Sequence, residues 1–264
     1  MTPLHLDVLS IADISHAADA LADLFDANDP STPVPSCGEW TMADLVWHLT
    51  EVQRFWCHVI SNRPEGPDTY EPPSRPADDE LGAGLRKVGV DLVELLSLAD
   101  DDEVAWSWSD DHTVGFTVRR QVHESMVHAI DGFLAVGAPV PEIEPLLAAD
   151  GIDELVTIML TGTPDWAMFE AAGGVVELVA SDTGDQWALQ PGKIIGTQPD
   201  SGERLELDGY ELDHETIPTA TIEAPALDLL LWMWGRVDAP ATKNPAQIEA
   251  AEHLRHTFLA AVGS

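Results

Sequence analysis

Glu124 and His128 stand four residues apart in the run Arg119–Asp131. On a helix that step brings a carboxylate and an imidazole within about 40° of each other, on one face. Such a pair can clamp a divalent cation. His48, in the earlier run Trp40–Leu49, is a third candidate ligand. Two histidines and a glutamate drawn from two helices would leave one coordination position open, as a catalytic metal requires and a structural one does not. The donor set suits zinc, nickel or iron(II).

Each of these residues has a plainer alternative. His48 lies on or near the apolar side of its run, where an ordinary core histidine also fits. Glu124 sits in a pattern filled by Val118, Val122, Met126 and Phe133. A carboxylate buried there needs a partner, and Arg119, Arg120, a histidine or a metal would each supply one. Asp131, three residues after His128, is either an exposed acid or the acceptor that orients the imidazole through its second nitrogen. His58 and His123 compete as ligands, although His123 lies about 100° around from Glu124. Arg236 ends the apolar run Leu229–Arg236. There it either complements a helix dipole or grips a substrate carboxylate. Cys57, about 180° around its helix from His48, reads as apolar filler rather than nucleophile. Cys37 carries no assigned role.

The elements that would position these groups are helical in the first half. Apolar residues recur at near-helical spacing from about His5 to Ala27, Leu6 among them. The proline-rich stretch Asn28–Ser36 ends that helix. Thr41 is a good N-cap with Asp44 three residues on, a variant of the capping box. It opens a helix running to about Ile60. A proline-rich loop spans Asn62–Ala77, and further helices are expected over about Asp78–Leu98 and Thr117–Val136. Four such helices suggest an antiparallel four-helix bundle. The second half changes period. Asp153–Leu160 is helical. Val175–Ala180, Gln186–Gln190, Lys193–Ile195, Arg204–Leu207 and Thr219–Glu223 are strand candidates. Helices follow from Ala226 and over Pro245–Val262. The expected architecture is therefore α+β in two domains, an N-terminal bundle in residues 1–140 and a mixed α/β domain in residues 151–264.

Composition bounds the partners. The chain has 264 residues, with 47 acids against 12 bases for a net charge of −35. A surface this acidic repels phosphate backbones, which argues against nucleic-acid binding. The apolar run Leu227–Trp234 is too short to cross a bilayer, and Met1–Asp7 has no signal-peptide character. Cys37 and Cys57 read as reduced thiols of a cytoplasmic protein.

Three motifs in this order, Trp40-Thr-x-x-Asp-Leu-x-x-His48, Arg119-Arg-x-x-His-Glu-x-x-x-His-x-x-Asp131 and Asp228-Leu-x-Leu-x-x-x-Gly-Arg236, resemble the mycothiol-dependent maleylpyruvate isomerase family of the DinB-like metal-binding superfamily. The resemblance spans nearly the whole chain. It implies a DinB-like bundle followed by a C-terminal domain compared with sterol-carrier folds. His48, Glu124 and His128 match the zinc ligands. Asp131 matches a further active-site carboxylate and Arg236 an arginine important for activity. The implied chemistry is a metal-dependent, thiol-linked isomerase or transferase, with mycothiol as thiol cosubstrate and a small electrophilic molecule as substrate. A non-catalytic metal- or ligand-binding protein of the same superfamily is the alternative.

Overall fold

The computed structural model describes residues 9–240 and 245–262. His5, Leu6, the segment Met1–Asp7 and Lys243 lie outside the described residues. The chain divides into two compact units, a helical one within Leu6–Glu142 and a mixed one within Ile143–Ser264.

The helical unit is built from α1 (Ile11–Ala27), α2 (Met42–Asn62), α3 (Asp78–Leu96) and α4 (Val114–Ala135). α1 and α2 each pack against both α3 and α4. Leu21 and Phe25 of α1, Leu45 and Leu49 of α2, and Leu81 and Leu85 of α3 interlock in one core. This is the bundle expected from the helical periodicity. The start of α2 is fixed as its sequence suggests. The Thr41 side chain accepts from Asp44 N, and the Asp44 carboxylate accepts in return from Thr41 N. Donation from the Thr41 hydroxyl and then from Thr41 N, with help from Arg75, lowers the Asp44 carboxyl to about 2. α4 begins earlier than its apolar pattern suggests, because Thr113 caps it by accepting from Phe116 N at 3.1 Å. Gly132 lets α4 lie close to α1: a Cβ at that position would stand 2.5 Å from Leu21 Cδ1.

In the second unit α5 (Pro145–Glu154) opens on a proline at its first position and continues into a π-helical stretch, Leu155–Leu160. Strands β1 (Ala167–Ala171), β2 (Val176–Ala180), β3 (Gln186–Thr197), β4 (Arg204–Leu212) and β5 (Ala220–Ala224) form one sheet. All its pairings are antiparallel except that of β2 with β5. α6 (Ala226–Met233) and α7 (Pro245–Val262) complete the unit.

Two differences from the sequence reading have clear physical causes. Gln186–Gln190 and Lys193–Ile195 are one strand, although Pro191-Gly192 looks like a break. On one edge β3 pairs with β2 through Gln186–Leu189 and with β1 through Gly192–Gly196. The Pro191 carbonyl accepts from Ala172 N on that edge. A strand residue points its N–H and C=O to the same side. The N–H that proline lacks therefore faces the handover between two partners, where no ladder bond is lost. The second difference is β1 itself. Ala-Met-Phe-Glu-Ala has no strand signature of its own, and pairing with β3 decides its conformation.

Candidate metal centre

α4 carries most of the site. Glu124 and His128 project from one face a turn apart, and His128 Nε2 lies 3.3 Å from Glu124 Oε1. α2 delivers His48 to the same oxygen, with its Nε2 at 3.4 Å. The two imidazoles meet edge to face, ring centroids 5.0 Å apart. One donor atom from each of the three side chains falls within 4.8 Å of the others. Around a tetrahedral ion with bonds of about 2.0–2.2 Å, neighbouring donors stand roughly 3.3 Å apart. The two separations to Glu124 Oε1 match that spacing, and all three donor atoms lie within 4.8 Å of one another, so the set is compatible with a divalent ion.

The surroundings fix these groups. Glu124 uses its second oxygen to accept from Arg120, at 3.1 Å, one turn back on α4. Arg120 is 5% exposed, so its charge neutralises the carboxylate in a poorly solvated setting. Of the partners open to Glu124 on sequence grounds, the structure supplies Arg120 and both histidines. His128 Nδ1 faces Asp131 Oδ2 at 3.0 Å. Asp131 has no solvent exposure. Its other oxygen accepts from Ser36 Oγ at 2.6 Å, while Cys37 Sγ approaches Oδ2 at 3.5 Å. Proton placement follows from this layout. The His128 Nδ1 proton points at Asp131, so the proton on Nε2, which faces Glu124, is the one a metal would displace.

Burial opposes charge on both Glu124 and His128, but their mutual attraction wins. The His128 imidazolium, with hydrogen bonds from both histidines, holds the Glu124 carboxyl well below its ordinary 4.5. Glu124, Asp131 and Cys37 together hold the His128 imidazole well above its ordinary 6.5. Without a metal the pair is an ion pair; a metal takes the place of the proton.

The other residues considered on sequence grounds lie elsewhere. His123 is buried on a different side of α4 from the ligand face. His58 is engaged with Asn62 and Thr69. Burial, reinforced by Asp91, pushes the Cys57 thiol up to about 12, which disfavours the thiolate form. Arg236 belongs to the C-terminal unit. It follows α6, where its guanidinium donates to the Trp234 carbonyl and lies 5.4 Å from the Trp234 ring centre. Sequence reasoning assigned nothing to Ser36 or Trp40 as contributors. Trp40 packs its ring 4.8 Å from that of His48 and 6.5 Å from that of His128. Their shared place in the short segment just before the His48 helix is the signal that could have found them.

A helical bundle that brings His-Glu-His donors together, followed by a mixed unit on a five-stranded sheet, defines a two-domain α+β protein with a candidate mononuclear metal centre. Residues 11–132 match the mycothiol maleylpyruvate isomerase N-terminal domain, and residues 147–252 match the C-terminal domain of the same isomerase family. The chain belongs to the mycothiol-dependent maleylpyruvate isomerase family. Two solved structures share the fold: a histidine-to-alanine variant of mycothiol-dependent maleylpyruvate isomerase (TM-score 0.56, 13% identity) and the unmutated enzyme (TM-score 0.52, 15% identity). Each comparison covers 93% of this chain and 99% of the other. No curated protein matches by sequence. Among the described residues no helix is long and apolar enough to cross a membrane.

Proposed function

We propose that the protein is a metal-dependent, thiol-linked isomerase or transferase in which His48, Glu124 and His128 hold one divalent ion, most naturally zinc. The observation that carries this reading is the convergence of His48 Nε2 and His128 Nε2 on Glu124 Oε1, at 3.4 and 3.3 Å. When bound, such an ion lowers the pKa of a thiol placed in its open position, so that the thiol is a thiolate at neutral pH. Mycothiol is the thiol suggested by the family.

The protein's own groups prepare that position. Asp131 keeps the His128 proton on Nδ1 and so keeps Nε2 available as a donor. Arg120 restrains Glu124 through Oε2 and leaves Oε1 for the ion. Trp40 packs beside the His48 ring, with centroids 4.8 Å apart. Arg236 is assigned the anchoring of an anionic group on the substrate, from its match to the family motif. In the isomerase version of the reaction, the thiolate sulfur bonds to one carbon of a cis double bond conjugated to a carbonyl, and the π electron pair moves onto that carbonyl as an enolate, from which it later returns. The remaining single bond turns, and the carbon–sulfur bond then breaks to return the thiolate and the trans alkene. No atom is gained or lost. In the transferase version the sulfur stays attached to the electrophile and a proton completes the product.

The test joins stoichiometry to turnover. Purified protein should carry one zinc-class ion per chain, and a panel of cis-enoic acids and simple electrophiles should be turned over only when mycothiol is present. A metal-free protein that cannot be loaded, or turnover unaffected by omission of the thiol, would falsify the assignment.

A further inference from the structure

The segment between α1 and α2 does more than connect them. Val34 N donates to Trp40 O at 2.8 Å, Met42 N donates to Thr32 O at 2.8 Å, and Pro33 and Thr41 form an isolated β-bridge. These bonds close a tight loop over residues 33–41. Its tip is a single 3-10 turn, Pro35–Cys37, and Gly38 completes it at φ 65°, a conformation that a side chain disfavours. The turn sets two consecutive donors, the Ser36 hydroxyl and the Cys37 thiol, against the two oxygens of one carboxylate, Asp131. That carboxylate is wholly buried and also faces His128 Nδ1. A planar carboxylate anchored at Oδ1 by a 2.6 Å hydrogen bond cannot rotate about its terminal torsion without breaking that bond.

We propose that Ser36 is a positioning residue of the metal centre: by pinning Asp131 Oδ1 it aims Oδ2 at His128 Nδ1 and so fixes the ring orientation and proton that leave Nε2 for the metal. Cys37 supports the same carboxylate with the weaker donor. The chain runs Ser36 Oγ–H to Asp131 Oδ1, then from His128 Nδ1–H to Asp131 Oδ2, and ends at the ligand atom. Ser36 thus acts two residues away from the ion and touches neither ion nor substrate. This inference rests on the metal-centre reading given above, but its geometry also exists in the metal-free protein, which allows the two to fail separately.

The test compares full-length wild type with Ser36→Ala, Ser36→Thr and Thr41→Ala. Thr41→Ala serves as control, since it removes the cap of α2 beside the same loop without touching Asp131. The first readout is hydrogen exchange of the His128 Nδ1 proton by NMR, in chelator-treated and zinc-loaded protein. The second is zinc affinity by competition with a chelator. Outer partners of ligand histidines typically carry 10–100-fold in affinity, so Ser36→Ala should weaken zinc by about tenfold and speed Nδ1–H exchange by a similar factor. Ser36→Thr, which retains the hydroxyl, should restore both. The proposal is overturned if Nδ1–H exchange is unchanged in Ser36→Ala, or if Thr41→Ala at matched loss of Tm weakens zinc equally. If wild type binds no zinc, the metal-centre reading falls, and the exchange measurement on the metal-free chain still decides the role of Ser36.

Discussion

Both units bury charged side chains, but among the described residues the side chains grouped closely enough to hold a metal ion lie in the helical one. In the helical unit Arg120, Glu124, His128 and Asp131 line one stripe of α4, and α2 and the loop before it add His48, Ser36 and Cys37. In the C-terminal unit Asp150, Asp153 and Glu154 are buried on α5 with Asp185 elsewhere, and Asp153 accepts from the buried Trp187 indole at 3.1 Å. The first group contains two imidazoles whose nitrogens can shed protons and face one carboxylate oxygen. The second is a set of acids, one of which satisfies a core tryptophan. Burial of charge alone therefore does not mark a site. Convergence of lone-pair donors from separate elements does.

The sharpest way to break this contrast is Glu124→Gln. It preserves shape but removes the carboxylate on which both histidines converge, and leaves Arg120 facing a neutral amide. Metal retention after gel filtration should fall by more than the 10–100-fold typical of outer partners. Stoichiometric metal in that variant would mean that the two histidines do not share Glu124 as a co-ligand.

Proton linkage gives the next largest effect. Metal binding requires neutral His128, whose metal-free value is raised above 6.5. Binding at pH 7 should therefore release close to one proton from this residue, and affinity should climb with pH until that raised value is passed. Calorimetry in buffers of different ionisation enthalpy measures the proton directly. The same shifts set the stability of the metal-free chain. The Glu124 contribution is fully present above about 4.5 and is lost as pH falls through its lowered folded value. The His128 contribution is fully present below about 6.5 and is lost as pH rises through its raised folded value. The pair should accordingly stabilise the metal-free protein most between those two limits, and unfolding curves across pH will display it.

Asp153→Ala probes the other half of the comparison. It strands the Trp187 indole N–H in the core, at a cost of about 1–3 kcal/mol. Denaturant unfolding should register that loss while zinc affinity is retained. A parallel drop in affinity would show that the buried acids of α5 belong to the metal chemistry after all. The smallest expected effect is at Cys57. With its thiol near 12, the thiolate fraction at pH 8 is on the order of 10⁻⁴, so an alkylating reagent should leave Cys57 unmodified in folded protein. Mass spectrometry after brief labelling checks this.

The sequence by itself determined the helical framework and the spacing along it of the candidate ligands. A 3.6-residue apolar period in α1 to α4, the Thr41–Asp44 cap and the four-residue step from Glu124 to His128 are local facts, because helical hydrogen bonds and neighbouring side chains lie within one turn. The fold family was legible for the same reason, through motifs carried on those helices. Other features depended on partners distant in the chain. Arg120 and His128 reach Glu124 from one turn away on α4 itself, whereas the arrival of His48 was settled by the packing of α2 on α4. β1 and the unbroken β3 exist because strands complete their hydrogen bonds across the sheet, so a stretch as featureless as Ala167–Ala171 becomes a strand only when Gly192–Gly196 lies beside it. Ser36 and Asp131 are 95 positions apart, and no local period links a turn hydroxyl to a helix carboxylate. Only the folded bundle, by closing that distance to 2.6 Å, decided that they act together.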